Sequence, residues 1–103
     1  MFASSPEDLE TLLEDAVLLG DHAAVADLFD AEAVLIAGPV TIGPKQALAE
    51  LTKRGYVATI RTVVVRRDSA VVIGDDAVNV SVRSPDGAWR LVATIMRPRT
   101  RHD

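Results

Sequence analysis

The chain has 103 residues, 49% hydrophobic and 25% charged, which is enough for one soluble domain with its own core. It contains no cysteine, which excludes disulfides, thiolate metal sites and thiol catalysis, and which is consistent with a reducing cytoplasm, where we expect the protein. The two histidines, His22 and His102, lie far apart in sequence, so we expect no metal site and no cofactor.

The charge is unevenly distributed along the chain. The net charge is -4, yet nine acidic residues and no basic residue precede Lys45, whereas 11 basic and six acidic residues follow from there. Either acidic helices complement a basic sheet, within the fold or across a dimer, or the basic half binds a polyanion. Basic and aromatic residues do not alternate as in nucleic-acid-binding proteins, so we expect no nucleic-acid partner.

No apolar run approaches the roughly 20 residues that a membrane-spanning helix needs. The N-terminal residues also lack the basic and apolar segments of a signal peptide. We therefore expect no membrane partner. We expect a single domain over residues 1–103 whose last part, 97–103, is a flexible basic tail.

The first twenty residues predict a well-defined helix. Ser5 can cap its N-terminus, Pro6 suits the first helical position, and Gly20 ends it. The apolar residues at helical spacing are Leu9, Leu12, Leu13, Ala16 and Val17.

Two more helices and a strand follow. Asp21 can cap a second helix, a buried strand is expected at 33–37, and Gly43 and Pro44 open a third helix that Gly55 ends. The apolar stripes are Val25, Leu28 and Phe29 in the second helix, and Ala47, Leu48 and Leu51 in the third.

Beyond Gly55 the hydrophobic period changes to two, which predicts strands at 58–67, 69–73, 77–84 and 88–97. Within 77–84, three valines alternate with polar residues, so one face is buried and the other is wet or meets a partner. Within 88–97, one alternating set is Trp89, Leu91, Ala93 and Ile95, and the other is Arg90, Val92, Thr94 and Met96. Because helices precede strands, we expect an α+β domain with an antiparallel sheet.

The stretch "GDHAAVADLFDAEAVLIAGPVTIGPKQALAEL" and the ending "PDGAWRLVATIM" resemble the nuclear transport factor 2-like superfamily, in particular its SnoaL-like and ketosteroid-isomerase-like branch. The resemblance covers most of residues 6–96. It implies a cystatin-like cone of three helices packed on a curved sheet, here somewhat shortened, often with an interior pocket.

The isomerase branch uses a carboxylate base on the first strand and two donors, a tyrosine and a protonated acid, that hold an enolate oxygen. When Phe29 and Ala33 are aligned with their family counterparts, the base falls on Ala37 and the tyrosine on Leu13. Neither residue can transfer a proton. The resemblance thus implies an apolar interior, and the expected pocket-lining residues are Leu13, Val17, Phe29, Leu35, Ala37 and Trp89.

Three residues remain as candidate proton carriers: Tyr56, His22 and Asp75. Each also has a structural interpretation: Tyr56 as an aromatic residue at a helix-to-strand junction, His22 as an exposed residue at the start of a helix, and Asp75 as a turn residue. The strand residues Asn79, Ser81 and Thr94 either hydrogen-bond a ligand or lie on a sheet-to-sheet dimer face.

Three functional hypotheses remain open at this point. The first is a non-catalytic module that forms a homodimer through its sheet and binds a small hydrophobic molecule in an apolar pocket. The second is an isomerase or polyketide cyclase with a non-standard acid–base set. The third is a regulatory module that binds another protein through its charge asymmetry.

Overall fold

The computed structural model describes residues 2–98, over which the predicted α+β class is confirmed. The elements are α1 (Pro6–Leu19), α2 (His22–Leu28), β1 (Phe29–Ala37), β2 (Val40–Ile42), α3 (Pro44–Arg54), β3 (Ile60–Arg66), β4 (Ser69–Gly74), β5 (Ala77–Arg83) and β6 (Trp89–Met96). No helix within this range is long and apolar enough to cross a membrane. The predicted tail lies outside the described residues from position 99 onward.

All three helices begin, and α1 and α3 also end, at the residues that the sequence predicts. The side chain of Ser5 accepts a hydrogen bond from the Asp8 backbone N–H at 3.0 Å, and Asp21 caps α2 in the same way. Gly20 and Gly55 end α1 and α3 with φ of 66° and 63°. Glycine adopts this left-handed conformation without a steric cost, which explains both helix ends.

The six strands form one sheet in the order β2-β1-β6-β5-β4-β3. The sheet is mixed rather than wholly antiparallel, because β1 and β6 run parallel while all other neighbours are antiparallel. Tight turns fix the antiparallel direction of consecutive strands, but β1 and β6 are distant in sequence and no turn constrains them.

The first strand is longer than the segment predicted at 33–37. Phe29, assigned from sequence to the second helical stripe, is already extended and pairs with Leu91 of β6. The short strand β2 was not predicted. It pairs back on β1 after a turn in which Gly38 has a φ of 61°.

A β-bulge in β6 changes which residues face the helices. Val80 of β5 lies opposite Ala93, but the next residue, Ser81, lies opposite Leu91, so Val92 is an extra residue. Leu91 and Thr94 are consequently both fully buried. The simple alternation expected for 88–97 is therefore wrong beyond the bulge.

The core lies between the helices and the inner face of the sheet. It contains leucines from both layers, including Leu9, Leu13, Leu35, Leu51 and Leu91, each no more than 1% exposed. The opposite face of the sheet has no covering layer within the described residues.

We call this opposite side the outer face. It is defined by Val34, Ile36, Thr62, Val64, Val71, Ile73, Val78, Val80, Ala93 and Ile95. Strand register aligns these residues in two nearly unbroken aliphatic rows. In one row Val71 pairs with both Val64 and Val80, and in the other Val78 pairs with both Ile73 and Ile95. Val64 and Ile95 remain 46% and 40% exposed.

Candidate functional site

Five polar residues are buried between the helices and the sheet, at no more than 4% exposure each. We call them the interior cluster: Glu10, Tyr56, Asn79, Ser81 and Thr94. The prediction of an apolar interior is wrong at this position.

Glu10 lies on the buried side of α1. It precedes Leu13 by three positions and Val17 by seven, so all three residues share one helical face. Only 3% of Glu10 is exposed. A carboxyl group so deep in a core requires hydrogen-bond partners, and the sheet supplies one.

The end of α3 directs Tyr56 into the interior. Gly55 reverses the chain, and the backbone N–H of Tyr56 then donates to the carbonyl of Leu51 at 3.0 Å. The segment that follows is held by side chains rather than by a strand. The backbone N–H of Val57 donates to Asp76 at 2.9 Å, and that of Ala58 donates to Glu14 at 3.0 Å.

The remaining members of the cluster come from two adjacent strands. Asn79 and Ser81 are two residues apart on β5 and point to the same side. Asn79 pairs directly with Thr94 of β6, which the bulge turns inward. None of the three lies on the outer face, so the sheet-to-sheet interpretation is wrong for them, and hydrogen bonding to a ligand stays a prediction.

Asn79 links the cluster together. Its Nδ2 atom donates to Glu10 Oε2 at 2.6 Å and lies 3.3 Å from the Tyr56 hydroxyl. Three buried atoms have no partner among the described residues, namely Asn79 Oδ1, Ser81 Oγ and Thr94 Oγ1. An unpaired buried polar atom costs on the order of 1–3 kcal/mol, so three of them close together indicate a missing partner.

Burial changes the protonation of the two ionisable members. It raises the pKa of Glu10 from 4.5 to about 7, and hydrogen bonds from Asn79 and Tyr56 only partly oppose this shift. Burial, followed by the negative charge of Glu10, raises the pKa of Tyr56 well above its usual value. Near neutral pH, Glu10 therefore exists in both forms while Tyr56 keeps its proton.

This arrangement can perform two kinds of chemistry. The unpaired oxygen atoms can hold a polar group, because two hydroxyls and one amide oxygen lie on the inner side of two adjacent strands. A carboxyl group with a pKa near 7 can also give or take a proton. Among residues 2–98, no group of three or more potential ligand side chains is arranged to hold a metal ion.

The structure separates the three predicted proton carriers. Tyr56 is buried in the cluster, whereas His22 is exposed at the first position of α2. Asp75 is exposed in the turn before β5 and accepts two hydrogen bonds of 2.8 Å from Arg61. These bonds lower the pKa of Asp75, which makes it a poor base.

All six residues predicted to line a pocket are buried, at no more than 8% exposure. Phe29 and Trp89 also line a surface cavity of about 450 Å³ near the N-terminus. A cavity of about 260 Å³ lies at the end of α3, beside Lys53 and Met96. Glu10 lines neither cavity.

Glu10 is the functional candidate that sequence reasoning missed. From the sequence it was counted only among the nine acidic residues that precede Lys45. Its spacing from Leu13 and Val17 was a usable signal, since that spacing places it on the apolar stripe.

No protein-family model matches the sequence, and no curated protein matches it either. Solved structures do match: a nuclear transport factor 2-like superfamily protein from Salmonella enterica has a TM-score of 0.64 at 14% identity, covering 90% of this chain and 87% of that one. The chain has the nuclear transport factor 2-like fold.

Two further structures support this fold. An NTF2-like protein from Cytophaga hutchinsonii has a TM-score of 0.63 at 19% identity, covering 89% of this chain and 93% of its own. A Parabacteroides distasonis protein, provisionally named a ketosteroid isomerase, has a TM-score of 0.62 at 22% identity, covering 87% of this chain and 84% of its own. At such identities the likeness shows the fold alone, and the resemblance found in the sequence is confirmed at that level.

Proposed function

We propose that this protein is a homodimeric domain that binds a small apolar molecule carrying one hydroxyl group. The proposal keeps the expected apolar ligand but adds a polar recognition point inside the nuclear transport factor 2-like fold. Its location in the cytoplasm stays a prediction from the sequence.

The supporting observation is the set of three unpaired buried oxygens, Asn79 Oδ1, Ser81 Oγ and Thr94 Oγ1. The Asn79 oxygen can only accept a hydrogen bond, so its partner must donate one. A ligand hydroxyl donates to Asn79 and exchanges hydrogen bonds with the other two hydroxyls. An ordered water molecule has the same capacity, and the experiment below distinguishes the two.

The ligand reaches this site through the segment that follows α3. The backbone of Val57 and Ala58 is held by the carboxylates of Asp76 and Glu14 rather than by a neighbouring strand. Moving this segment breaks two side-chain contacts and leaves the sheet intact, so it is the least costly opening into the interior.

Trp89 provides the measurement, because it is the single tryptophan and is 5% exposed. Borneol and its parent hydrocarbon bornane serve as matched probes in a fluorescence titration. We expect borneol to bind more tightly than bornane, and Thr94→Val to weaken borneol binding about tenfold without unfolding the protein.

The matched control is Thr62→Val, since Thr62 is exposed on the outer face. This substitution should leave borneol binding unchanged. Equal affinities for the two probes, or undiminished borneol binding by Thr94→Val, would contradict the proposed recognition and would favour a trapped water.

The proposal of a homodimer rests on the outer face. Two aliphatic rows cross five strands there, and uncovered apolar areas of this kind are typical of interaction surfaces. A second copy is the simplest cover, because a two-fold axis lets the same surface serve both subunits.

Two neighbouring valines of β3 test this directly. Val64 belongs to the outer face, whereas Val65 points to the other side of the sheet with Ala70, and they are 46% and 49% exposed. In sedimentation experiments we expect Val64→Asp to produce monomers and Val65→Asp to remain dimeric. Monomers in the unsubstituted protein at all concentrations would refute the dimer.

An enzyme of the isomerase or cyclase kind is the second candidate, and the raised pKa of Glu10 favours it. In this mechanism the Glu10 carboxylate takes a proton from the carbon beside a carbonyl group and returns it to the far end of the resulting enolate. The Tyr56 hydroxyl would donate to the enolate oxygen meanwhile.

Turnover of a small β,γ-unsaturated ketone tests this second candidate. Glu10→Gln should abolish turnover and Tyr56→Phe should reduce it about a hundredfold. His22→Ala and Asp75→Asn should have no effect, because both residues are exposed and distant from the cluster's hydrogen bonds. A rate equal to that of buffer excludes this function for that substrate class.

A further inference from the structure

A groove runs along the outside of the two N-terminal helices, on the side of the molecule away from the outer face. Between α1 and α2 lies a cavity of about 410 Å³ with Leu12 and Leu28 in its floor. A second cavity, of about 450 Å³, also contacts Leu28 and Asp27 and extends to Phe2 and Trp89. The two cavities together form an elongated groove rather than a compact pocket.

Large apolar side chains are uncovered at both ends of this groove. Leu19 is 80% exposed at the α1–α2 end, and Phe2 is 57% exposed at the other. Exposed leucine and phenylalanine next to a concave apolar floor are typical of surfaces that bind another chain.

Negative charge borders the part of the groove that lies between α1 and α2. Asp15, Asp21 and Asp27 line the cavity between α1 and α2. Neither helix contains a lysine or an arginine. Arg90 lines the second cavity, but its guanidinium lies 3.8 Å from Asp86 Oδ2 and donates to Ser84 Oγ at 2.7 Å. None of the ion pairs found among residues 2–98 involves these three aspartates.

We infer that this groove binds a cationic amphipathic helix of another protein. Apolar side chains spaced three and four residues apart would fill the two cavities in succession, and flanking lysine or arginine residues would meet the aspartates. The three aspartates repel nucleic acid and anionic membranes, which makes those occupants less favourable than a cationic one. The inference goes beyond ligand binding in the interior, since it uses none of the interior cluster.

A labelled synthetic peptide of about 15 residues, with leucine on one helical face and lysine on the other, is the probe. The control peptide has the same composition in shuffled order, so that it has no apolar face. In fluorescence anisotropy at low salt we expect one amphipathic peptide to bind per chain, and binding to weaken as salt is added. The shuffled peptide should bind at least about tenfold more weakly.

Two leucines at the end of α1 provide a matched pair of variants. Leu19 lines the groove and Leu18 does not, although they are 80% and 76% exposed and neither supports the core. We expect Leu19→Ser to weaken peptide binding about tenfold and Leu18→Ser to leave it unchanged. Asp27→Asn should weaken it about twofold to fivefold, while Glu32→Gln, outside the groove, should not.

Several results would overturn the inference. They are equal binding of both peptides, equal binding by the two leucine variants, and no binding at low salt. Loss of self-association in Leu19→Ser would also overturn it, because a second copy would then be the occupant of the groove.

Discussion

The two faces of strand β5 differ in the opposite sense from most half-covered sheets. Its inner face, under the helices, contains Asn79 and Ser81, while its outer face contains Val78 and Val80. Antiparallel sheets more often place apolar residues inside and polar residues in water. Alternation in a sequence thus indicates that two faces differ, but it does not indicate which one is covered.

Two features explain this inversion. Glu10 accounts for the polar inner face, and the proposed dimer accounts for the aliphatic outer face. α1 places the Glu10 carboxyl group against the sheet. A polar residue opposite this group costs less free energy than an apolar one, because Asn79 donates a hydrogen bond to the carboxyl oxygen. The aliphatic outer face is consistent with the proposed dimer, in which it too is removed from water. Substitutions on each face test the two faces separately.

The largest expected effect is a dependence of stability on pH that Glu10 causes. The folded protein binds a proton at Glu10 between its ordinary pKa of 4.5 and its raised pKa of about 7, whereas the unfolded chain has released it. This contribution to the free energy of unfolding is fully present below pH 4.5 and falls by about 3 kcal/mol as pH rises to 7.

Urea unfolding over that pH range measures this effect. Glu10→Gln should flatten the curve, whereas Glu7→Gln, an exposed change on the same helix, should keep the slope. A slope unchanged by Glu10→Gln would identify another group as the one that titrates.

A smaller loss of stability is expected when Asn79 is removed from the inner face. Asn79→Ala removes the donor that lies 2.6 Å from Glu10 and leaves a buried carboxyl group without it. We expect the free energy of unfolding to fall by about 2 kcal/mol at neutral pH. Ser81→Ala, in which no paired atom is lost, should stay within about 0.5 kcal/mol, and equal losses in both variants would contradict the proposed role of Asn79.

Making the inner face more apolar should stabilise the ligand-free protein. Thr94→Val keeps the shape of the side chain and removes a buried hydroxyl without a partner, so we expect a gain of about 1 kcal/mol. Thr41→Val, an exposed change on β2, is the control. If Thr94→Val instead lowers thermal stability, the hydroxyl has a bound partner even without added ligand.

Making the outer face more polar should affect association rather than folding. Val80→Thr introduces a hydroxyl in the middle of one aliphatic row. We expect the dimer dissociation constant to rise about fivefold and the stability of each subunit to change by only about 0.5 kcal/mol. Sedimentation equilibrium measures the first quantity, and an unchanged constant would show that this position is not covered in the dimer.

Much of the fold could be predicted from local signals. Ser5, Asp21, Gly20 and Gly55 each act within one turn of a helix, so their effect is visible in the sequence. The turns between β3, β4, β5 and β6 are equally local. The parallel pairing of β1 with β6 was not predictable, because it depends on residues some sixty positions apart and on no turn.

The candidate site was less predictable than the fold, for a physical reason. Asn79, Ser81 and Thr94 were recognised as polar strand positions, but which face of the sheet the helices cover depends on the tertiary packing. Glu10 was read by residue type, although its position on the helical stripe indicated burial. A buried network forms between elements, so no single segment shows it.

The extra residue in β6, Val92, has a consequence for how this interior can change over generations. Removing that one codon would restore strict alternation without exchanging the two faces, because Leu91 and Thr94 would then be two positions apart and would both still face the helices. A lineage could therefore lose the bulge through a single deletion and keep its hydrogen-bonding interior, without replacing any amino acid.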